Sequence, residues 1–467
     1  MAAVAAVFLG SSALCVASCG AVTGVDLGLL EGQGYDASGH EGTSLQGSVH
    51  DAGMAGLSAE AGDGATNKVE DATVPEASVP EAAPPEATAP DVGPDIAPSA
   101  VVTAVAVGDN HICALTSAGA VLCWGENPDG ELGNGTTTAS AVPVPVSGLS
   151  SGVTAIAAGA HHTCALTTDG GLVCWGLNSI GQLGNGSGGD IGMLQSSEGG
   201  PGDSGLIPGP VSNPDSGVAA IRAAGDMSCA LLTNGKVQCW GNLLPIYSFV
   251  PVTVPGLAAG VDAIATGEVH ACALSPTEGV QCWGSNALGQ LGQALPDADS
   301  GEATFSVPAV SVPGLSSGIT AIAAGGAQTC ALTTAGVVTC WGRNDDETNA
   351  PDSFSVETTS PTAVSGLPAD VTGLAIGPYS ACAVTAAGAV LCWGHNFAGL
   401  LGDDSEVAGS LTAVPVSGLS SGAATVSVGA YNTCAVMTSG TLECWGGGTS
   451  DDNDQVLLAA PAPVAVP

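Results

Sequence analysis

From residue 101 to the C-terminus, apolar and small residues fall in short runs broken by Gly, Asp, Asn and Pro, the pattern of strands and tight turns. The stretch from residue 153 shows the unit. Residues 153–158 (VTAIAA) predict a strand with small residues on one face, and Gly159 is expected to allow a turn. Residues 163–167 (TCALT) and 172–175 (LVCW) predict two more strands. Thr168-Asp169-Gly170-Gly171 joins them, glycine supplying the positive φ of a hairpin. A Gly-rich loop follows, then a Pro-Val segment such as Pro143-Val144-Pro145-Val146 of the preceding unit. Proline cannot donate to an inner ladder, so this fourth strand is expected on a sheet edge. Amphipathic helices need Glu, Lys and Arg, and charged residues are only 10% of the chain.

The unit recurs seven times. Cysteines pair at a fixed offset of ten: Cys113 with Cys123, Cys164 with Cys174, Cys229 with Cys239, Cys272 with Cys282, Cys330 with Cys340, Cys382 with Cys392, and Cys434 with Cys444. Trp and Gly follow each second Cys, which places all seven tryptophans: Trp124, Trp175, Trp240, Trp283, Trp341, Trp393 and Trp445. Their spacings of 51, 65, 43, 58, 52 and 52 describe a repeat with loop insertions. The cysteines of a pair sit symmetrically about the hairpin turn, so they face each other across antiparallel strands within bridging reach. Each bridge closes about eleven residues and stabilises by roughly 2.5–3 kcal/mol. The tryptophans are expected to fill the gap between neighbouring sheets. Four antiparallel strands repeated radially make a propeller, so residues 101–467 are read as all-β, a seven-bladed β-propeller of four-stranded blades. The closing AAPAPVAVP is expected to lend residues about 459–466 as a strand to the blade containing residues 101–125, fastening the ring.

Upstream the pattern changes. Residues 1–18, MAAVAAVFLGSSALCVAS, have the length and character of an export-signal core and are too interrupted for a membrane span. They end in Val16-Ala17-Ser18-Cys19, which resembles a bacterial lipobox. That resemblance implies cleavage before Cys19, lipidation of Cys19, and anchorage to a bacterial membrane facing the periplasm or exterior. Cys15 is the competing site, and a plain secretory signal cleaved near Ala17 or Ala21 is the alternative. Residues 19–100 follow neither period and include VPEASVPEAAPPEATAPDVGPDIAP, a Pro/Ala/acidic linker that cannot bury enough apolar surface to fold. Export favours bridged cysteines over free thiols packed as small hydrophobes.

Forty-three acidic residues stand against Lys68, Arg222, Lys236 and Arg343, a net charge of −39. Nucleic acid and anionic membrane surfaces are disfavoured partners. Cationic partners or divalent ions suit this charge, and solubility alone is the plainer account.

The recurring G-x-x-x-T-C-A-L-T-x-x-G-x-V-x-C-W-G-x-N-x-x-G-Q-L-G-N-G resembles the regulator of chromosome condensation repeat family, bacterial members included, over about residues 101–467. Its G-x-L-G element stands at 130–133, 181–184, 289–292 and 399–402 and is missing from repeats three, five and seven. The resemblance implies the fold strongly and the function weakly. The family's eukaryotic namesake exchanges guanine nucleotide on a small GTPase and docks on chromatin through basic groups, which this chain lacks. Secreted bacterial members include propellers that inhibit β-lactamases by covering the enzyme, and the export signal places the chain nearer to these.

No nucleophile motif of the G-x-S-x-G kind is expected, no Gly-rich loop followed by Lys and Ser/Thr occurs, and no zinc-type Cys pair two residues apart. His111, His162 and His270 stand two residues before the first Cys of their units, where the others hold Met227, Gln328, Ser380 and Asn432. A backbone-bonding role at the turn is expected of them rather than a metal ring. The acidic loops Asp345-Asp346-Glu347, Asp403-Asp404 with Glu406, and Asp451-Asp452-Asn453-Asp454 lack the alternating spacing of a calcium loop and are read as solvated. Insertions at 187–210, 294–307 and 345–360 offer recognition loops. The expectation is a monomeric, non-catalytic envelope lipoprotein without cofactor, whose propeller binds a protein or glycan. The alternatives are a carbohydrate-active enzyme module using loop carboxylates, and a guanine-nucleotide exchange factor by family analogy.

Overall fold

Short β-branched and small-residue runs become strands, and glycines turn the chain between them. The computed structural model describes residues 100–188, 204–212, 214, 217–243, 247–257, 260–293, 305–344, 356–447 and 458–467. The export segment, Cys19 and the linker lie outside these residues, as do Asp345-Asp346-Glu347, Asp451-Asp452-Asn453-Asp454 and most of each insertion. The described strands form seven four-stranded antiparallel sheets, hydrogen-bonded in chain order. In blade 2 they are Val153–Ala158, His162–Thr167, Leu172–Leu177 and Ser204–Pro210. The blades span residues 102–145, 153–210, 218–253, 263–311, 319–363, 371–415 and 423–464. Outer strands carry prolines, as in Ser140–Pro145 and Phe305–Ser311, where an unpaired edge needs no donor.

Two expectations about this frame are corrected. The outer strands of blades 2, 4 and 5 use residues 204–210, 305–311 and 356–363. The C-terminal parts of the three insertions are therefore framework, not recognition loop. The ring also closes without strand exchange. Leu458–Val464 pairs with Leu442–Gly446 of its own repeat, and residues 102–145 supply all four strands of blade 1. Local pairing wins because each outer strand follows its own third strand in sequence, and blade 1 has no strand missing. Blades 7 and 1 meet through the bond used elsewhere: Val102 N donates to Gly440 O at 2.9 Å, as Val153 N donates to Gly119 O at 3.1 Å.

The core is divided into seven apolar clusters, one between each pair of neighbouring blades. Every expected cysteine pair is bridged across the second and third strands of its blade. Cys113 joins Cys123, Cys164 joins Cys174, Cys229 joins Cys239, and Cys272 joins Cys282. Cys330 joins Cys340, Cys382 joins Cys392, and Cys434 joins Cys444. In each pair the two residues are direct cross-strand partners, as with Cys123 opposite Cys113 and Cys444 opposite Cys434. Each bridge shares a cluster with the tryptophan of the next blade; Cys164 and Cys174 pack with Trp240, for example. Gly159 takes no positive φ, so its expected turn role is replaced by another. A Cβ there would lie 2.2 Å from His162 Cε1 and 2.7 Å from Gly225 O of blade 3, so the glycine permits close approach of blades. The innermost strands surround an open channel lined by small residues such as Ala155, Ala265 and Ala375, with Arg222 among them.

A polar staple crosses the apolar interfaces. His162 Nε2 lies 2.8 Å from Ser228 Oγ of blade 3. Ser228 Oγ donates to Gln182 O of blade 2 at 3.1 Å, and the Trp240 indole donates to the same oxygen at 2.8 Å. Because the hydroxyl proton goes to the carbonyl, the imidazole donates from Nε2, and its buried Nδ1 is left without a partner. His270, Thr329, Gln290 and Trp341 repeat the arrangement at 2.7, 3.0 and 2.9 Å. His111 meets Thr163 at 2.8 Å, and Trp175 donates to Glu131 O at 2.7 Å. The histidines thus bond a hydroxyl of the neighbouring blade instead of the backbone of their own turn. Burial drives their pKa values down, to about 3 for His111 and His270 and about 4 for His162.

Candidate binding face

At one end of the ring, a single backbone bond recurs in every blade and, in blades 1 to 6, sets two side chains next to each other. The residue after Cys-Trp-Gly donates its N–H to the carbonyl three residues before the first Cys. The pairs are Glu126 with Asn110, Leu177 with His161, Asn242 with Asp226, Ser285 with Val269, Arg343 with Ala327, His395 with Tyr379 and Gly447 with Tyr431, at 2.8–3.0 Å. The backbone frame is the same seven times, while the two side chains differ from blade to blade.

The face is asymmetric. Blades 1, 3 and 4 contribute Asp109, Asp226 and Glu268, and an open pocket of about 380 Å³ at the channel mouth is lined by Asp109 and Glu268. Burial raises the pKa of Asp109, with Asp226 adding to the rise and His161 opposing it. Burial likewise raises Glu268, helped by Asp109 and Asp226 and opposed by Arg343. Blades 6 and 7 contribute aromatic rings. Tyr379 and Phe397 meet edge to face at 5.0 Å, Phe397 and Tyr431 at 5.8 Å, and His395 lies 5.9 Å from Tyr379. Tyr379 and Phe397 are exposed. Phe397 begins a single 3-10 turn in which Ala398 takes φ 58°, a left-handed conformation that costs a non-glycine residue about 1 kcal/mol or more.

The other candidates that the sequence offers fall away from this face or into the frame. All seven tryptophans are buried between blades and offer no ligand surface. Asp403 accepts from the Ser405 N–H at 3.2 Å and from Ser405 Oγ at 2.8 Å, a loop-closing turn. The expectation of no G-x-S-x-G element is corrected in its letters: they occur as GLSSG at 148–152, 314–318 and 418–422. There they turn the chain from one blade's outer strand to the next blade's inner strand, without the strand-turn-helix setting of an esterase nucleophile. The face itself escapes a reading by motif. Its signal is the inverse of a motif: a pair of positions whose combination differs in every repeat, beside positions that never change.

A seven-bladed propeller, each blade drawn from one contiguous disulfide-bridged repeat, defines the class of protein. Comparison with known proteins identifies the type of repeat. Regulator of chromosome condensation (RCC1) repeats are matched at residues 118–166, and again at 102–131, 153–182, 261–290 and 319–347. The matches fall in blades 1, 2, 4 and 5, which carry repeats of the RCC1 type. It is 43% identical to the ultraviolet-B receptor UVR8 of Arabidopsis thaliana over 83 residues, 18% of this chain and 19% of that one. It is 31% identical to the mitochondrial RCC1 domain-containing protein RUG3 of the same plant over 152 residues, 32% of this chain and 31% of the relative. The chain thus spans under a third of the length of these two relatives. Among solved structures it resembles Prp20p of Saccharomyces cerevisiae, with a TM-score of 0.61 and 20% identity, over 75% of this chain and 87% of that one. Human WBSCR16 is similar at a TM-score of 0.59 and 22% identity, over 72% and 87%. Both likenesses concern the fold. Prp20p is described with binding properties to Gsp1p and histones.

Proposed function

We propose that the chain is a non-catalytic recognition scaffold of a bacterial envelope, exported, anchored through Cys19, and binding a protein of basic character on the variable face. One observation carries this reading: an invariant backbone clamp holds a different pair of residues in each blade. A rigid frame with a varied display is what recognition needs, and exposed aromatic anchors are where binding energy concentrates. Tyr379 and Phe397 supply such anchors, with the half-buried Tyr431 against them, beside the acids Asp109, Asp226 and Glu268. With a net charge of −39, approach of a cationic partner is accelerated and that of nucleic acid opposed. The protein-binding properties described for Prp20p support a propeller of this fold in such a role.

The test is affinity capture from an envelope extract with the disulfide-intact chain. Wild type, a Tyr379→Ser/Phe397→Ser double variant and Asp226→Asn are compared side by side. The reading expects a partner retained by wild type, released by added salt, and lost from the double variant. Equal retention by wild type and the double variant contradicts it. For the anchor, metabolic labelling with palmitate marks wild type and not Cys19→Ser; a label that persists in Cys19→Ser refutes lipidation at that residue.

A further inference from the structure

Two acids that depart from the pattern of their repeat positions meet a histidine of the variable position where blade 1 adjoins blade 2. Glu131 stands where the other G-x-L-G elements hold Gln182, Gln290 and Leu400. Asp129 stands where they hold Ile180, Leu288 and Ala398. His161 stands where the other blades hold Asn110, Asp226, Val269, Ala327, Tyr379 and Tyr431. One ligand atom from each of Asp129, Glu131 and His161 can be chosen so that all three lie within 4.8 Å of one another. His161 Nδ1 is 3.5 Å from Glu131 Oε1. The other Glu131 oxygen accepts the Asp129 N–H at 2.9 Å, and Ser204 Oγ donates to Asp129 Oδ1 at 3.4 Å.

The charge on Glu131 is not explained by the fold. In the equivalent loops Gln182 accepts the Ile180 N–H at 3.0 Å and Gln290 accepts the Leu288 N–H at 2.9 Å, so a neutral amide makes the same loop bond. Yet Glu131 is only 2% exposed, and a buried carboxylate is costly unless a cation answers it. His161 alone does not answer it, because the same imidazole also faces Asp129. Even an imidazolium leaves negative charge in excess at this point.

We propose that Asp129, Glu131 and His161 bind one zinc-class divalent ion that ties the blade 1 loop to the blade 2 turn. Two carboxylates and a neutral imidazole cancel a dication, and one nitrogen with two oxygens matches zinc's preferred donors. Tetrahedral ligands at about 2.0–2.1 Å from zinc sit about 3.4 Å apart, close to the separation of His161 Nδ1 and Glu131 Oε1. Three protein ligands leave a position for water. Calcium and magnesium prefer all-oxygen shells, so neither is the ion chosen here.

The test is zinc titration by calorimetry of the full chain, disulfides intact, after removal of metal by a chelator. Glu131→Gln and His161→Asn serve as comparisons; each introduces a residue that another repeat carries at that place, and thermal melting confirms that each folds. Wild type is expected to bind one zinc per chain, undisplaced by tenfold excess calcium. Either variant is expected to bind at least tenfold more weakly, and to lose the rise in melting temperature that zinc gives wild type. An isotherm unchanged in Glu131→Gln, or no zinc uptake by wild type, overturns the proposal.

Discussion

The blade interfaces and the variable face are built from the same repeats, yet they obey opposite rules. At the interfaces, a residue in one blade fixes its counterpart in the next. His111, His162 and His270 are each followed one repeat later by a hydroxyl just before the first Cys: Thr163, Ser228 and Thr329. Where the histidine is replaced by Met227, Gln328 or Asn432, the later position holds Ala271, Ala381 or Ile112. On the face, neighbouring blades place no such demand, and Asn110, His161, Asp226, Val269, Ala327, Tyr379 and Tyr431 share one position. Coupling marks what holds the ring together. Its absence marks what is free to serve recognition.

The comparison is broken most severely by removing interface bulk. Trp240→Ala empties the contact with the bridge of Cys164 and Cys174, Leu166 and Leu183, and is expected to cost about 3–5 kcal/mol in denaturant unfolding. Acid should come next. His111, His162 and His270 are neutral in both folded and unfolded states above about pH 6.5. Below that pH the unfolded chain takes up protons first, so stability falls as pH falls. The expected slope is about 1.4 kcal/mol per unit for each ring, until the folded values near 3 to 4 are reached. Asp109 and Glu268, raised by burial, act in the opposite sense over the carboxylate range and blunt the fall. His270→Gln should flatten the acid limb; an unchanged limb would mean that the buried rings do not govern it.

A smaller effect sharpens the account of the staple. Repeat three lacks the G-x-L-G element, and the next blade's Trp283 Nε1 is buried without a partner, whereas Trp240 donates to Gln182 O. Trp240→Phe is expected to cost about 1–2 kcal/mol more than Trp283→Phe, since only the former removes a bond. Equal costs would show that the indole bond contributes nothing. Blades 6 and 7 offer the converse. Ser380 and Thr433 occupy the histidine and hydroxyl positions, and both buried hydroxyls are unpaired. Ser380→His is expected to supply the missing bond and raise stability by about 1 kcal/mol.

Most of the fold is legible in the sequence because its strongest constraint is written there. A Cys pair astride a hairpin turn, followed by Trp, fixes two strands, their register and the blade count together. Cys123 opposite Cys113 and Cys239 opposite Cys229 carry that register unchanged into the sheets. Ring closure is not legible. A Pro-Val tail looks the same whether it pairs with its own repeat or with the first, and only the local third strand decides. The histidine partners are hidden for a related reason: they lie about one repeat away, and reading each unit alone points to its own turn. Reading the repeats against each other finds both the partners and the face, the first as residues that change together and the second as residues that change alone.

Affinity for the captured partner, measured alongside unfolding stability, tests the division of frame from face most directly. The Tyr379→Ser/Phe397→Ser variant is expected to unfold within about 0.5 kcal/mol of wild type and to bind at least thirtyfold more weakly, as loss of an aromatic anchor implies. Wild-type affinity in that variant, at undiminished stability, would contradict the assignment of this face to recognition.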